Sequence, residues 1–312
     1  MRKVGKILKK INLPCPASYD EPMSRHTSFR IGGPADIFVT PRNTEELART
    51  YKLLNEQEVP TFILGAGANI LVSDRGINGA VIDMNGFQGC SLFQTDDGGT
   101  LNASAGTPIS DVSALALDYG LSGLEFIYSM PGSVGGSVWM NARCYGRSIS
   151  EVLTRVEVLD ETGTTTEMEV DREQFSYKRS PFQKSSSLIL GATFALVPGD
   201  REQMQERMRS IKQDRENKGH FLHPCAGSIF KNNRAFGSPT GKLIDSLSLK
   251  GTSIGDARVS ELHGNIIINT GSARAEEVLE LIHLLETKVR EAFGFELDRE
   301  ILLAGQWREE AT

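Results

Sequence analysis

Two glycine-rich turns carry the residues best suited to hold a ligand by its backbone. One is Gly65-Ala66-Gly67-Ala68-Asn69. The other is Met130-Pro131-Gly132-Ser133-Val134-Gly135-Gly136, set within Gly123 to Gly146. Glycine allows positive φ and close approach of a ligand, and successive N–H groups in such a turn can form a nest for an anion. A tight loop without a ligand is the competing reading of each. Three glycines behind a proline predict a loop, neither helix nor strand. Further on, His220, His223 and Cys225 crowd together in HFLHPC. They could ligate a metal, but no fourth ligand is apparent and none is expected to be held. Three carboxylates, Glu296, Asp298 and Glu300, alternate near the end of the chain.

The elements around these residues decide what the turns can be. Thr61 to Leu64 reads as a short buried strand, and Ile70-Leu71-Val72 resumes as a strand after the first turn. A Rossmann dinucleotide site needs a third glycine and a helix after the turn, so that reading fails. Ser28 to Val39 reads as strand, glycine turn, strand. Asn43 or Thr44 caps a helix with Leu47, Tyr51 and Leu54 on one face. Strands follow at Gly79 to Asp83 and Gly99 to Gly106. Thr107 is read as the cap of a helix with Pro108 first and Gly120 as its stop. A hairpin is expected from Val156–Leu159 and Thr165 to Glu169, then a strand from Leu188 to Val197. Beyond Pro198-Gly199-Asp200 come a charged helix over Arg201 to Asn217 and a small-residue turn, His223 to Asn232, leading into a short strand. A short helix at Gly241 to Leu249 and a strand at Asn265 to Asn269 precede the strongest helix, Ala275 to Phe293. In that helix Val278, Ile282, Leu285 and Val289 are in phase. Phe295 to Leu303 is read as a last strand. The pattern predicts an α+β protein, a mixed α/β region to about Gly199 and a smaller α+β domain after it.

Composition excludes several classes. The chain has 312 residues, 39% hydrophobic and 24% charged, enough for a sizeable core. A net charge of −6 gives no nucleic-acid surface. No apolar run reaches the about 18 residues of a membrane span. The first ten residues are basic, with lysines interrupting any apolar core, and predict a solvated N-terminal helix. Cys15, Cys90, Cys144 and Cys225 are widely spaced and form no CxxC pair, which predicts reduced thiols in the cytoplasm.

Six blocks, in order and across almost the whole chain, resemble the UDP-N-acetylenolpyruvoylglucosamine reductase (MurB) family of flavoenzymes. They are His26 to Asp36, Leu64 to Asp74, Gly123 to Gly146, Ala226 to Asn232, Val259 to Asn265 and Leu297 to Glu300. The resemblance implies a vanillyl-alcohol-oxidase-type FAD-binding domain of two α/β subdomains with an α+β substrate-binding domain after it. It divides the chain into a basic extension (1–20), an FAD-binding domain (21–199, subdomains split near 80) and a substrate-binding domain (200–312). It implies FAD held by Gly65, Ala66, Gly67, Asn69 and Ile70 and by Pro131, Gly132, Ser133, Gly135, Gly136 and Asn141. The implied reaction uses NADPH to reduce the enolpyruvyl ether of UDP-N-acetylglucosamine to UDP-N-acetylmuramate, for peptidoglycan. Hydride passes through flavin N5 to the terminal alkene carbon, and a proton goes to the neighbouring carbon.

The resemblance places the proton donor at Ser228 and the catalytic glutamate at Glu300, with Tyr177, Lys231 and Asn232 on the substrate. Without it, Ser228 would read as a turn hydroxyl bonded to its own backbone, and Glu300 as an outward carboxylate matching Glu296 and Asp298. The family usually has Tyr-Arg-x-Ser where this chain has Tyr177-Lys178-Arg179-Ser180. Either Lys178 or Arg179 must grip the substrate carboxylate, and a guanidinium fork is not equivalent to an ammonium. Gly255-Asp256-Ala257 also departs, from Gly-Gly-Ala. With only 50 residues between Tyr177 and Ser228, the chain resembles the shorter type, lacking the loop that carries a substrate-covering tyrosine. A monomer or weak oligomer is expected. The alternatives are another FAD-dependent oxidase of the same fold, or a nucleotide-binding protein without catalysis.

Overall fold

A computed structural model describes residues 12–307. The expected N-terminal helix lies outside them. Contacts divide the described residues into two compact units, each discontinuous in sequence: 12–18, 37–66 and 79–213 in one; 19–36, 67–78 and 214–307 in the other.

The first unit is built on an antiparallel sheet in the order Thr165–Glu169, Leu153–Leu159, Leu188–Pro198, Gly98–Ser104, Cys90–Thr95, with Leu121–Ser122 added at the far end of Leu188–Pro198. The expected hairpin is its edge, with Leu159 opposite Thr165. Thr61–Leu64 pairs in parallel with Ile77–Asp83. Helix Thr44–Glu56 begins where Asn43 Oδ1 accepts the Glu46 N–H at 2.9 Å, and it buries Leu47, Thr50, Tyr51 and Leu54. Two expectations fail here. Thr107 does not cap helix Ile109–Asp118, because its hydroxyl bonds both the N–H and the carbonyl of Gly89. Gly135 and Gly136 are not in a loop but inside helix Val134–Trp139. The reason is proximity: a Cβ on Gly135 would sit 3.0 Å from the Ala105 Cβ, and the Gly135 N–H donates to the Ala105 carbonyl at 2.8 Å.

The second unit has an antiparallel sheet in the order Cys225–Ser228, Ile266–Asn269, Ala257–Val259, Ser253–Ile254. Leu302–Ala304 pairs in parallel with Ile70–Val72. Helix Ala275–Phe293 covers the core, with Val278, Leu281, Ile282, Leu285 and Val289 fully buried. Its first N–H groups, on Ala275 and Glu276, donate to Asp74 at 2.8 and 3.0 Å, a cap supplied from far upstream. The departure at Asp256 has a use: its carboxylate accepts the Ser272 N–H at 2.7 Å and its carbonyl the Thr270 N–H at 3.0 Å. Ser28 to Ile31 is not a strand. Arg30 has φ 56°, and Thr27 closes the turn by donating to the Ile31 carbonyl at 2.9 Å. Phe295 to Ile301 is irregular as well, because its pairing with the 230 region is a single bridge, Phe230 to Arg299.

Candidate active site

In the second unit, Ser228 ends a strand that is out of step with its partner. Cys225 faces Ile268 and Ser228 faces Ile266, so the first strand carries one extra residue. Gly227 takes up the bulge at φ 70°, and a Cβ there would meet nothing within 4 Å. Its neighbour Ala226 opens no space, being buried in the core at 1% exposure. The open space beside Ser228 therefore belongs to Gly227. Ser228 is half-buried, and its hydroxyl has no hydrogen-bond partner among the described residues. The local backbone bond expected of a turn serine is absent.

Glu300 is brought to the same backbone. Its N–H donates to the Ile229 carbonyl at 2.7 Å, and the Lys231 N–H donates to the Asp298 carbonyl at 2.7 Å. Glu300 is half-buried while Glu296 and Asp298 are exposed, so the three carboxylates are not equivalent. Arg299, between them, is fixed by a two-point contact with Glu286 at 2.5 and 2.7 Å. Lys231 is not a lone cation, since its Nζ lies 2.9 Å from Asp298 Oδ2. Asn232 accepts the Thr240 N–H at 2.9 Å, and the Thr240 hydroxyl donates to the Lys231 carbonyl at 2.8 Å.

The Gly65–Asn69 turn joins this assembly through Asn69, whose Nδ2 donates to the Glu300 carbonyl at 3.1 Å. The Asn69 carbonyl takes the Leu302 N–H at 3.0 Å, and Ile70 is buried in the parallel ladder. Ser28, named in the sequence but given no role, braces the turn: its hydroxyl reaches the carbonyls of Cys225 (2.7 Å) and Gly67 (3.3 Å). Among the described residues the N–H groups of Ala66, Gly67, Ala68 and Asn69 make no hydrogen bond. Four successive donors without an acceptor among the described residues, on a turn that runs from exposed Ala66 through buried Gly67 to half-buried Ala68 and Asn69, are a ready nest for an anion.

In the first unit, Pro131 to Gly136 leaves two further N–H groups, on Gly132 and Ser133, without an acceptor among the described residues. The neighbouring donors are used. Val134 bonds the Thr107 carbonyl at 2.9 Å, and Gly136 bonds the Ser133 hydroxyl at 3.3 Å. The chain leaving this helix holds the Tyr177–Ser180 turn. Asn141, at φ 44° and buried, donates from Nδ2 to the Ser176 carbonyl at 2.8 Å and accepts the Ser150 N–H at 3.3 Å. Its amide thus supports the turn. Ser180 and Gln183 both donate to the Trp139 carbonyl, at 2.6 and 3.1 Å, and Gln183 also to that of Lys178 at 3.1 Å. Ser176 and Arg179 exchange N–H···O bonds at 3.1 Å, with Lys178 at φ 57° between them. Lys178 is half-buried and Arg179 exposed. The guanidinium of Arg143, which no motif had singled out, lies 5.7 Å from the Tyr177 ring centre.

His220 and His263 sit 6.3 Å apart, centre to centre. Burial, then the nearby Arg215 charge, pushes His220 down to about 4; burial also lowers His263. Burial pushes the Cys225 thiol up. Among the described residues no three His, Cys, Asp or Glu side chains are grouped to hold a metal.

Residues 218–304 match the model of the UDP-N-acetylenolpyruvoylglucosamine reductase C-terminal domain, and residues 35–169 match an FAD binding domain. Curated relatives named UDP-N-acetylenolpyruvoylglucosamine reductase align end to end. The one from Borreliella burgdorferi is 38% identical over 97% of this chain and 99% of its own length. That from Caldanaerobacter subterraneus is 40% identical over 97% of each. The chain belongs to the UDP-N-acetylenolpyruvoylglucosamine reductase family. The crystal structure of the Thermus caldophilus member of that family superposes with a TM-score of 0.75 at 31% identity, covering 93% of this chain and 98% of that one. The fold is therefore that of this reductase family, α+β, with an FAD binding domain followed by the family's C-terminal domain. No helix among the described residues is long and apolar enough to cross a membrane.

Proposed function

We infer that the protein is an FAD-dependent oxidoreductase that uses NADPH to reduce UDP-N-acetyl-3-O-(1-carboxyvinyl)glucosamine to UDP-N-acetylmuramate, a peptidoglycan precursor. The observation that carries the reading is the pairing of Ser228 and Glu300. An unpartnered hydroxyl beside open space and a half-buried carboxyl are fixed on one stretch of backbone, Ile229. The free donors of residues 66–69, and those of Gly132 and Ser133, suit the phosphates of a flavin nucleotide. Residues 21–199 are assigned to FAD and 200–312 to the nucleotide sugar; the two family models fall inside these limits.

FAD, when bound, supplies the two-electron relay from NADPH to the terminal alkene carbon. The chain's own residues do the rest. Lys178, half-buried where Arg179 is exposed, holds the substrate carboxylate as a fixed positive charge. Glu300 acts beside that carboxylate as the catalytic carboxyl, held on the same backbone as Ser228. Ser228 gives its proton to the carbon bearing the carboxylate, as general acid. Tyr177, Lys231 and Asn232 orient the nucleotide sugar. The enzyme is placed in the cytoplasm, with NADPH and its substrate. The four cysteines, all free thiols, agree with a reducing compartment.

The test is the visible spectrum of the purified protein under anaerobic conditions. A flavin spectrum bleached by NADPH, then restored by the enolpyruvyl nucleotide without oxygen, is expected. Protein that neither carries nor takes up FAD would overturn the reading.

A further inference from the structure

We propose that Asn265 is a positioning residue that sets the pose of Ser228 and Glu300 through the Ile229–Phe230 backbone. The inference rests on the roles given above to those two residues.

The bulge at Gly227 puts the strand carrying Ser228 out of register with Ile266–Asn269, and the ladder ends at Ser228–Ile266. Beyond that point the next two residues need other partners, because Ile229 and Phe230 are fully buried. Asn265 supplies them. Its own carbonyl accepts the Ile229 N–H at 3.0 Å. Its side-chain amide accepts the Phe230 N–H at 2.9 Å and donates to the Phe230 carbonyl at 2.8 Å. The fourth backbone group, the Ile229 carbonyl, takes the Glu300 N–H at 2.7 Å. Asn265 thus holds three of the four polar groups, and Glu300, with a longer bond from the Ile301 N–H at 3.3 Å, the last.

Asn265 is itself fixed. It is 2% exposed, and its N–H donates to His263 Nδ1 at 3.1 Å. The Ile229–Phe230 dipeptide is therefore a rigid bar with Ser228 at one end and Glu300 bonded to its side. Only an amide can complete it: one oxygen must accept and one nitrogen must donate at adjacent points. Without that amide, a buried N–H and C=O lose their partners. Ser228 and Glu300 then lose a common reference, and displacement of a reacting group by about 1 Å can slow a reaction by about 100-fold.

The experiment compares Asn265→Ala, Asn265→Asp, Ser228→Ala and the Asn265→Ala/Ser228→Ala pair as flavin-loaded proteins, following each half-reaction separately. Asn265→Ala is expected to slow substrate-driven flavin reoxidation about 10- to 100-fold while leaving NADPH-driven reduction within about twofold. Added to Ser228→Ala, it should slow reoxidation by less than about twofold more, because both changes act on one group. Asn265→Asp keeps the volume and loses the donor at neutral pH. Its reoxidation should recover towards wild type as the pH falls and the carboxyl regains a proton. Hydrogen exchange at the Phe230 amide should quicken in Asn265→Ala, while Val278 stays protected. Equal loss in both half-reactions, unchanged reoxidation, or full additivity with Ser228→Ala would overturn the proposal. If Asn265→Ala does not yield flavin-loaded protein, Asn265→Asp carries the test, and a pH-independent defect overturns it. Normal reoxidation by Ser228→Ala would sink the serine's role itself; slow Ser228→Ala with normal Asn265→Ala would sink only Asn265's.

Discussion

Asn69 Nδ2 donates to the carbonyl of Glu300 at 3.1 Å, so a turn read as a cofactor holder is tied to the backbone of a residue read as catalytic. The tie has a measurable worth. Asn69→Ala removes the donor but leaves the turn's N–H groups. One such bond contributes about 1 kcal/mol, so FAD should bind roughly fivefold more weakly, as read by a fluorescence titration of the apoprotein. An unchanged Kd would mean that Ser28 alone is enough to brace the turn.

Ser228→Ala deletes a hydroxyl that has no partner among the described residues, so folding should be little affected. The variant should bind FAD and be reduced by NADPH at the wild-type rate. Return of the flavin to its oxidised form by the enolpyruvyl nucleotide should slow by about 100- to 10,000-fold, the usual span for loss of a general acid. Stopped-flow absorbance separates the two steps.

Lys178 and Arg179 sit side by side but differ in burial, the first half-buried and the second exposed. A cation shielded from water acts more strongly on a developing negative charge than one that water screens. Lys178→Ala should therefore lower kcat far more than Arg179→Ala, by at least about tenfold. The reverse order would move the carboxylate partner to Arg179.

His220 makes stability depend on pH. Its folded value lies near 4, against an ordinary 6.5, because burial disfavours the imidazolium and Arg215 repels it. The unfolded chain therefore takes up a proton between these values that the folded one refuses. Stability is full above about pH 6.5 and falls as the pH drops towards 4. The total loss is on the order of 3 kcal/mol, with a slope of about 1.4 kcal/mol per pH unit mid-range. Urea midpoints from pH 7 to 4 should follow this, and His220→Gln should flatten that part of the curve.

What could be read from the sequence was local. The period of Val278, Ile282, Leu285 and Val289 gave helix Ala275–Phe293 with both bounds, since one buried face repeats within one segment. Its Asp74 cap could not be read, because no local pattern pairs residues so far apart. Alternation made Phe295 to Leu303 resemble an edge strand, yet up to Ile301 the pairing is a single bridge, and a ladder forms only from Leu302 onwards. Gly135 looked like a loop residue because its reason for being glycine, the approach of Ala105, lies in another segment. At the site, Ser228 and Glu300 came from the family resemblance. The amide of Asn265, which holds their shared backbone, sits in the turn just before Ile266–Asn269, at the end of a block that carried the resemblance, but its partners Ile229 and Phe230 are in a distant segment and no local pattern gives it that role.

The parallel pairing of Leu302–Ala304 with Ile70–Val72 bears on how the protein is made. Asn69 and the carbonyl it holds are 231 positions apart. At about 5–20 residues per second, a ribosome needs roughly 10–50 s to travel from one to the other. Through that interval the nascent strand at Ile70–Val72 has an open edge, and the glycine turn before it lacks its tie to Glu300. Flavin loading that needs this pairing then waits until residues 300–304 have left the ribosome.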